Sequence, residues 1–494
     1  MTSPGSVGDF AIRNAKAVYF IVFALCLGGI FAALHMPSSV FPQTNFPRVI
    51  IAVDNGVMPA DEMMATITRP IEDAMKDIEG VVKVRSSTGR GSDWVDVFFD
   101  WNVEMRRSEL FVLGRLAQIR STLPASAEIR AYRLTFSSYP IAGISLTSRT
   151  RDKISLWETA RYNLKPRFLR IPGVARVDLV GGRTPEYHVI VNPARLQALH
   201  LGLTQVCDAL TKTNLVAAAG MHEENHTLYL AVVDGRVHTI EELENLPLAA
   251  EDGRSVRIKD FARVEQGPEP LFNVVTADGV DAVLLNVRSQ PEGSTLEIVD
   301  RLKAEMQSLK KELPPDMKLA FFYDQSLLVR ASVQSVWEAI FFGLFLSVLI
   351  LFGFLKNWGS TLVATLVTPL ALLMALLAMK VAGFTFNLMT LGGIAASIGL
   401  VIDNAIVMVE AIYAKMASGQ GRLEAIRAAT GEILPPLLGS TLTPVVVFVP
   451  LAFLSGVPGV FFRALAVTMV VALLASLFLV VLLTPSLAAS LVRL

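Results

Sequence analysis

Leu391-Gly-Gly-Ile-Ala-Ala-Ser-Ile-Gly-Leu-Val-Ile-Asp403-Asn404-Ala-Ile-Val-Met-Val-Glu410 is the stretch that decides the fold class. An apolar or small-residue run leads into a carboxylate and a carboxamide side by side, and the apolar run then resumes. A bilayer-crossing helix needs roughly 20 such residues. The spacing predicts one over 388–412, with Asp403 about 4–5 Å from its midpoint at 1.5 Å per residue. A charge at that depth costs about 2.5–3.5 kcal/mol on insertion scales, so an intramembrane carboxylate marks a functional site by default. Gly392, Ala396, Gly399 and Asp403 share one helix face, and Gly393, Ser397, Leu400 and Asn404 form the adjacent stripe. Small residues let helices approach closely. The expectation is that Asp403 points into the bundle.

Working outward, five more apolar runs are long enough to span: 17–34, 338–355, 361–381, 433–455 and 463–491. Hydrophobic residues make up 52% of the chain and charged ones 18%, which places it among membrane proteins rather than soluble domains. Lys+Arg and Asp+Glu both number 44, so there is no basic footprint for nucleic acid. Arg13, Lys16, Lys356, Lys415, Arg422, Arg427 and Arg493 fall on one side of the spans, against Lys380 and Arg463 on the other. The positive-inside rule then puts the N-terminus in the cytoplasm and the long polar stretch 36–335 outside. Arg13 and Lys16 ahead of Val18–Leu34 also fit a signal peptide, but the apolar run is long and no small-residue cleavage site follows. Retention as a helix is expected.

No central Lys or Arg lies in the other spans; Lys356, Lys380 and Arg463 sit at span ends, and Thr441, Thr443 and Thr484 offer hydrogen bonds alone. Asp403 is therefore expected to be protonated at rest or paired with a cation from outside this chain. Burial favours a neutral carboxyl and a nearby cation favours the charged form, so a site that alternates between the two takes up and releases a proton. The competing reading is a protonated, hydrogen-bonded structural Asp. Asn404 either assists Asp403 or packs by polar contact. Glu410, about 15 Å from the midpoint, is expected to reach the cytoplasmic interface.

The polar stretch contains a repeat. Ile78-Glu-Gly80-Val-Val-Lys-Val84 aligns with Ile171-Pro-Gly173-Val-Ala-Arg-Val177 at an offset of 93, which also carries Gly89-Arg90 onto Gly182-Arg183 and Trp94 onto Tyr187. Each copy reads as amphipathic helix, strand, turn, strand, with Val174–Val180 expected to pair with Tyr187–Val191. Asp281–Ser289, Ser294–Leu313 and Lys318–Tyr323 read as strand, helix, strand that complete the second copy. The expected fold class is a multi-pass α-helical membrane protein of six helices with a large extracytoplasmic α+β domain of ferredoxin-like βαβ subdomains.

Several stretches resemble the resistance–nodulation–cell division (RND) superfamily: Val40-Phe-Pro-Gln-Thr-Asn-Phe-Pro-Arg-Val49, Met58-Pro-Ala-Asp61 with Ile67-Thr-Arg-Pro-Ile-Glu72, the Gly399–Glu410 signature, and Gly439-Ser-Thr-Leu-Thr-Pro-Val-Val-Val-Phe-Val-Pro-Leu451. They occur in the family's order along essentially the whole chain and are similar to the N-terminal half of an acriflavine-resistance-type permease. The resemblance implies these divisions: 1–37, N-terminus and first span; 38–134, a first porter subdomain; 135–180 and 273–332, a second; 181–272, a docking-type insertion; 333–494, the remaining spans. It implies a proton antiporter of the bacterial inner membrane, with no cofactor beyond the proton gradient, exporting hydrophobic or amphiphilic compounds or metal ions. It further implies a trimer, a periplasmic adaptor and an outer-membrane channel. Asp403 matches the family's relay aspartate and Asn387 matches an Asn at the outer end of the same span; Glu410 and Thr441 are candidate supports. Two departures stand out: Asn404 occupies the place of a second Asp in drug-efflux members, and family members are about twice this length. Their second half brings six more spans and the relay's Lys. A split half, a truncated gene and a fragment are all open, as are a C-terminal half or a full-length homologue as partner. The alternative function is a protein-export auxiliary of the Sec-associated RND branch, or a non-transporting half.

His222-Glu-Glu-Asn-His226 fits H-E-x-x-H, the zinc protease pattern, which needs both His on one helix face. Gly220 before it and the strand-like Thr227–Val233 after it argue for a loop, so neither a metal site nor a hydrolase is expected. No P-loop is present to couple ATP.

Overall fold

A computed structural model describes residues 7–213, 216–249, 255–270 and 274–492. Six of the described helices are long and apolar enough to cross a membrane. The first, α1 (Ala15–His35), follows a short helix at Val7–Arg13 and leads into the α+β part.

The first α/β unit runs β1 (Asn45–Asp54), α2 (Ala60–Met63, a π-helical turn Met64–Thr68, then Arg69–Lys76), β2 (Val81–Thr88), β3 (Ser92–Phe99), α3 (Met105–Ile119) and β4 (Glu128–Thr135). Its sheet is antiparallel throughout, in the order β2-β3-β1-β4. Alternation sends Val49, Ile51 and Val53 of β1 and Val95 and Val97 of β3 to one face, where the helical stripe Met63, Ile67, Ile71, Met75 packs. Asp93 is buried in this unit, 3% exposed. Its Oδ1 accepts from Trp94 N at 2.9 Å and Thr88 Oγ1 at 3.3 Å, and its Oδ2 has no partner. Burial pushes this carboxyl above the usual aspartate range, although the hydrogen bonds oppose it.

The second unit runs β5 (Ala142–Ser148), α4 (Lys153–Glu158, a π-helical turn Thr159–Leu164, then Lys165–Leu169) and β6 (Val174–Gly181). The repeat is real at the level of elements: α4, β6 and the next strand β7 (Pro185–Val191) each begin 93 positions after α2, β2 and β3. The π-helical turn recurs too, which the sequence did not announce. The expected pairing of Val174–Val180 with Tyr187–Val191 is corrected. Gly181 and Gly182 take φ of +85° and +75°, and a Cβ at either would sit within 3 Å of neighbouring atoms. These two left-handed residues swing the chain out of the sheet where the first copy makes a hairpin.

The insertion follows. It includes the hairpin β8 (Val216–Glu224) and β9 (Thr227–Asp234) and returns on β10 (Ala262–Pro268), which is the partner β7 takes. Leu196, Val206, Leu243, Ile258 and Phe261 give it a core of its own. The H-E-x-x-H residues lie in the hairpin and not on a helix. Asn225 and His226 form its two-residue turn at φ +50° and +61°, with Glu224 opposite Thr227. Among the described residues no group of His, Cys, Asp or Glu is placed to hold a metal. The chain then re-enters the second sheet as β11 (Val280–Ser289), followed by α5 (Thr295–Glu312) and β12 (Met317–Asp324). Strand β11 fills the slot between β5 and β6, so the order β6-β11-β5-β12 reproduces that of the first unit.

The remaining helices are α6 (Ser326–Leu355), α7 (Trp358–Val381), α8 (Leu388–Ala417), α9 (Arg422–Phe448) and α10 (Gly456–Leu491). Several outrun the predicted spans because polar turns continue them past the apolar stretch, as at Arg330–Glu338 of α6 and Arg422–Arg427 of α9. Val363, Val367, Ala371, Val401, Ala405, Met408, Leu479 and Leu483 form the shared membrane core of α7, α8 and α10.

Candidate functional site

Helix α8 starts on a strong cap. Asn387 is 1% exposed. Its Oδ1 accepts from Met389 N at 3.0 Å and Thr390 N at 3.1 Å, and Thr390 Oγ1 accepts from Asn387 N at 2.9 Å. Two otherwise orphaned backbone amides are thereby satisfied in an apolar setting. Asn387 is thus a helix cap, 16 residues and about 24 Å of helix from Asp403.

The helix buries the Gly393, Ser397, Asn404 stripe. A Cβ at Gly393 would lie 3.0 Å from the Leu465 carbonyl and 3.1 Å from Thr468 Cβ, so the glycine allows α10 to approach. About three turns further on, Asn404 is 6% exposed. Its Oδ1 accepts from Thr441 Oγ1 of α9 at 3.3 Å, and its Nδ2 donates to Ser476 Oγ of α10 at 3.5 Å. Ser476 Oγ in turn donates to the Val401 carbonyl at 3.2 Å. Three helices are joined here by one carboxamide. Asn404 and Thr441, both candidates for the relay, are brought together, and their contacts are with each other and Ser476. Ser476 was not singled out from the sequence, although a lone hydroxyl in the run Val470–Leu483 was the available signal.

Asp403 lies on the neighbouring face, about 100° round the helix from Asn404. The helix runs Leu388–Ala417, which puts Asp403 at its middle. Gly392, Ala396, Gly399, Asp403, Val407 and Glu410 are all exposed, and nothing lies within 4 Å of a Cβ built on Gly392 or Gly399. The expectation that Asp403 points into the bundle is therefore corrected: within these six helices its stripe faces outward. Helix spacing fixes which residues share a face, and small residues occur on two neighbouring faces here. No hydrogen bond or ion pair reaches Asp403 from the described residues. Glu410 continues the open stripe two turns on, about 10.5 Å away. Lys380 is at the end of α7, with its Nζ 4.2 Å from the Phe31 ring centroid, and Arg463 lies in the first turns of α10.

A model of the AcrB/AcrD/AcrF family matches residues 7–494. The chain belongs to the AcrB/AcrD/AcrF family. It is an RND-type chain, and with its six apolar helices a multi-pass inner-membrane protein with a large periplasmic domain. Curated relatives agree with the family assignment. A protein named multidrug resistance protein MdtC from Pectobacterium atrosepticum is 28% identical over 484 residues, covering 98% of this chain and 47% of the relative. The protein of the same name from Escherichia coli O139:H28 is 28% identical over 476 residues, covering 96% of this chain and 46% of the relative. This AcrB-family chain thus spans about half the length of the curated relatives it matches.

Proposed function

We propose that the chain is the first half of a proton-coupled secondary efflux pump, with Asp403 as the carboxylate that takes up and releases the proton. The observation that carries this reading is the outward stripe Gly392–Ala396–Gly399–Asp403. A carboxylate at the middle of a membrane helix, on a face of small residues left exposed by the described residues, is costly against lipid. The small residues fit close packing by a further helix. A second six-helix half, in the same polypeptide or a separate one, would cover the stripe and supply the cation for Asp403. The length of the relatives supports that reading. Asn404, Thr441 and Ser476 hold α8, α9 and α10 in register behind the stripe, and Asn387 fixes the helix's outer end. None of these four is given a proton to carry.

The βαββαβ order of both units supports reading them as ferredoxin-like porter subdomains, 38–134 and 135–180 with 273–332. The separate core of 181–272 supports the docking insertion. Exposed Met221, Leu228, Leu230 and Val232 on the projecting hairpin support an assembly arm in a trimer. The name of the relatives favours organic hydrophobic or amphiphilic substrates over metal ions, passed to a periplasmic adaptor and outer-membrane channel. The proton gradient is the energy source, and no hydrolytic chemistry is assigned.

The test is efflux of a fluorescent amphiphile from cells that lack their own pumps and express the complete transporter. Asp403→Asn should abolish efflux, with the protein still inserted at parental levels. Efflux that survives Asp403→Asn would overturn the relay.

A further inference from the structure

The linker between the first membrane helix and the first α/β unit makes contacts that a passive connection would not need. Pro37–Phe41 lies against the N-terminal approach to α8. Phe386 N donates to the Pro37 carbonyl at 3.0 Å, Ser39 N to the Phe386 carbonyl at 2.8 Å, and Leu388 N to the Val40 carbonyl at 3.2 Å. On its other edge the same linker holds the second unit. Thr295 N, at the start of α5, donates to the Ser38 carbonyl at 2.7 Å, and Ser38 Oγ lies 3.0 Å from Ser294 Oγ. Ser38 and Val40 are buried. The next residue, Phe41, stacks on Phe136 at 4.7 Å, in the short turn between the two units. Phe461, in the second turn of α10, stands edge-on to both rings at 6.0 Å.

Five residues therefore touch the outer end of the Asp403 helix, the N-terminus of α5 in the second unit, and the turn joining the units. Helix α8 is suited to transmit movement. It has no internal proline, whereas α7, α9 and α10 carry Pro369, Pro435, Pro436, Pro444 and Pro485. From its Asn387 cap to Asp403 it is an unbroken rod. The linker adds no slack, because its peptide groups are bonded on both edges.

We propose that Pro37–Phe41 is a coupling strap, through which displacement of α8 at Asp403 shifts the two α/β units relative to one another. This rests on the proton-linked reading of Asp403. The strap residues are positioning residues and touch neither proton nor substrate.

Two changes weaken the strap on separate sides, leaving the Ser38 hydroxyl with Ser294 Oγ at 3.0 Å and the Leu296 N–H at 3.4 Å. Thr295→Pro removes the N–H that bonds Ser38, at the first helical position of α5 where proline is tolerated. The preceding Ser294 is already extended at φ −78°, ψ 116°, as a residue before proline must be. Phe136→Leu removes the ring stack and keeps an apolar side chain. Thr295→Ala keeps the N–H and serves as the control. The readout is the distance between spin labels at Gln118 of α3 and Gln307 of α5, both exposed, in the complete transporter with Cys207→Ser and any other accessible cysteines replaced. It is measured with Asp403 intact and as Asn.

Asp403→Asn should change the label distance in the parent and in Thr295→Ala. In Thr295→Pro with Phe136→Leu the change should shrink and efflux should fall by roughly 5- to 150-fold, the range of ordinary coupling energies. Phe136→Leu alone, the milder variant, should give a partial loss of both. A distance change that persists undiminished in the double variant overturns the strap and leaves the relay standing. No distance change on Asp403→Asn in the parent also overturns the strap, whereas the relay falls only if efflux survives Asp403→Asn.

Discussion

Replacing Asn404 separates a structural knot from a proton carrier. Asn404→Leu keeps the branching of the side chain, with methyl groups in place of the amide oxygen and nitrogen, and removes its two hydrogen bonds, to Thr441 at 3.3 Å and Ser476 at 3.5 Å. Both are long. Hydrogen bonds between membrane helices average about 0.6 kcal/mol in double-mutant cycles, which gives roughly 1 kcal/mol for the pair. The groups left behind recover partners: Ser476 keeps the Val401 carbonyl, and the Thr441 hydroxyl can turn to the carbonyl one helical turn before it. No further penalty for unsatisfied groups is therefore added. The expected outcome is a loss of about 1 kcal/mol in unfolding free energy, read by denaturant titration in detergent, with efflux within about twofold of the parent. Efflux reduced more than tenfold at unchanged stability would refute the reasoning and place Asn404 in the relay.

The two glycine stripes of α8 should behave oppositely. Gly393→Ala forces a methyl against the Leu465 carbonyl and Thr468 and should cost about 1–3 kcal/mol in the chain itself, read by thermal unfolding. Gly399→Leu should leave the chain's own stability unchanged and weaken co-purification with the second half, because open space surrounds it here. In the hairpin, His226 holds a left-handed φ of +61°, a conformation that costs a non-glycine residue roughly 1–2 kcal/mol. His226→Gly should raise protection of the β8–β9 amides against hydrogen exchange, and should leave zinc content unchanged by elemental analysis. Asp93 has a raised folded pKa, so the unfolded chain loses its proton first as pH rises. Its contribution is fully present below the unfolded value and is lost as pH rises through the folded one. Asp93→Asn should therefore flatten that fall in thermal stability as pH rises above the ordinary aspartate range.

The membrane helices were legible because crossing a bilayer imposes a length and composition that few other structures share. The repeat was legible too, since Gly80 and Gly173 mark the same turn at φ +85° and +89° in both copies. Which way Asp403 faces was not. Helix α8 is apolar or small on most of its surface, so periodicity gives stripes without saying which one meets a neighbour. The exit of β7 from its sheet hung on Gly181 and Gly182, a pair that reads equally as a hairpin turn until the returning strand β11 is seen in its place. The Asn404–Ser476 contact and the strap's bonds to Phe386 and Thr295 join residues 72 to more than 250 positions apart, beyond the reach of local pattern.

The most direct test of the relay is proton movement itself. The complete transporter is reconstituted in vesicles holding a pH-sensitive dye, and dye response to added substrate is compared between Asp403 and Asp403→Asn. Substrate-dependent proton flux in the parent and none in Asp403→Asn, with substrate binding retained, is the predicted result. Equal flux in both would contradict the assignment of the proton to Asp403.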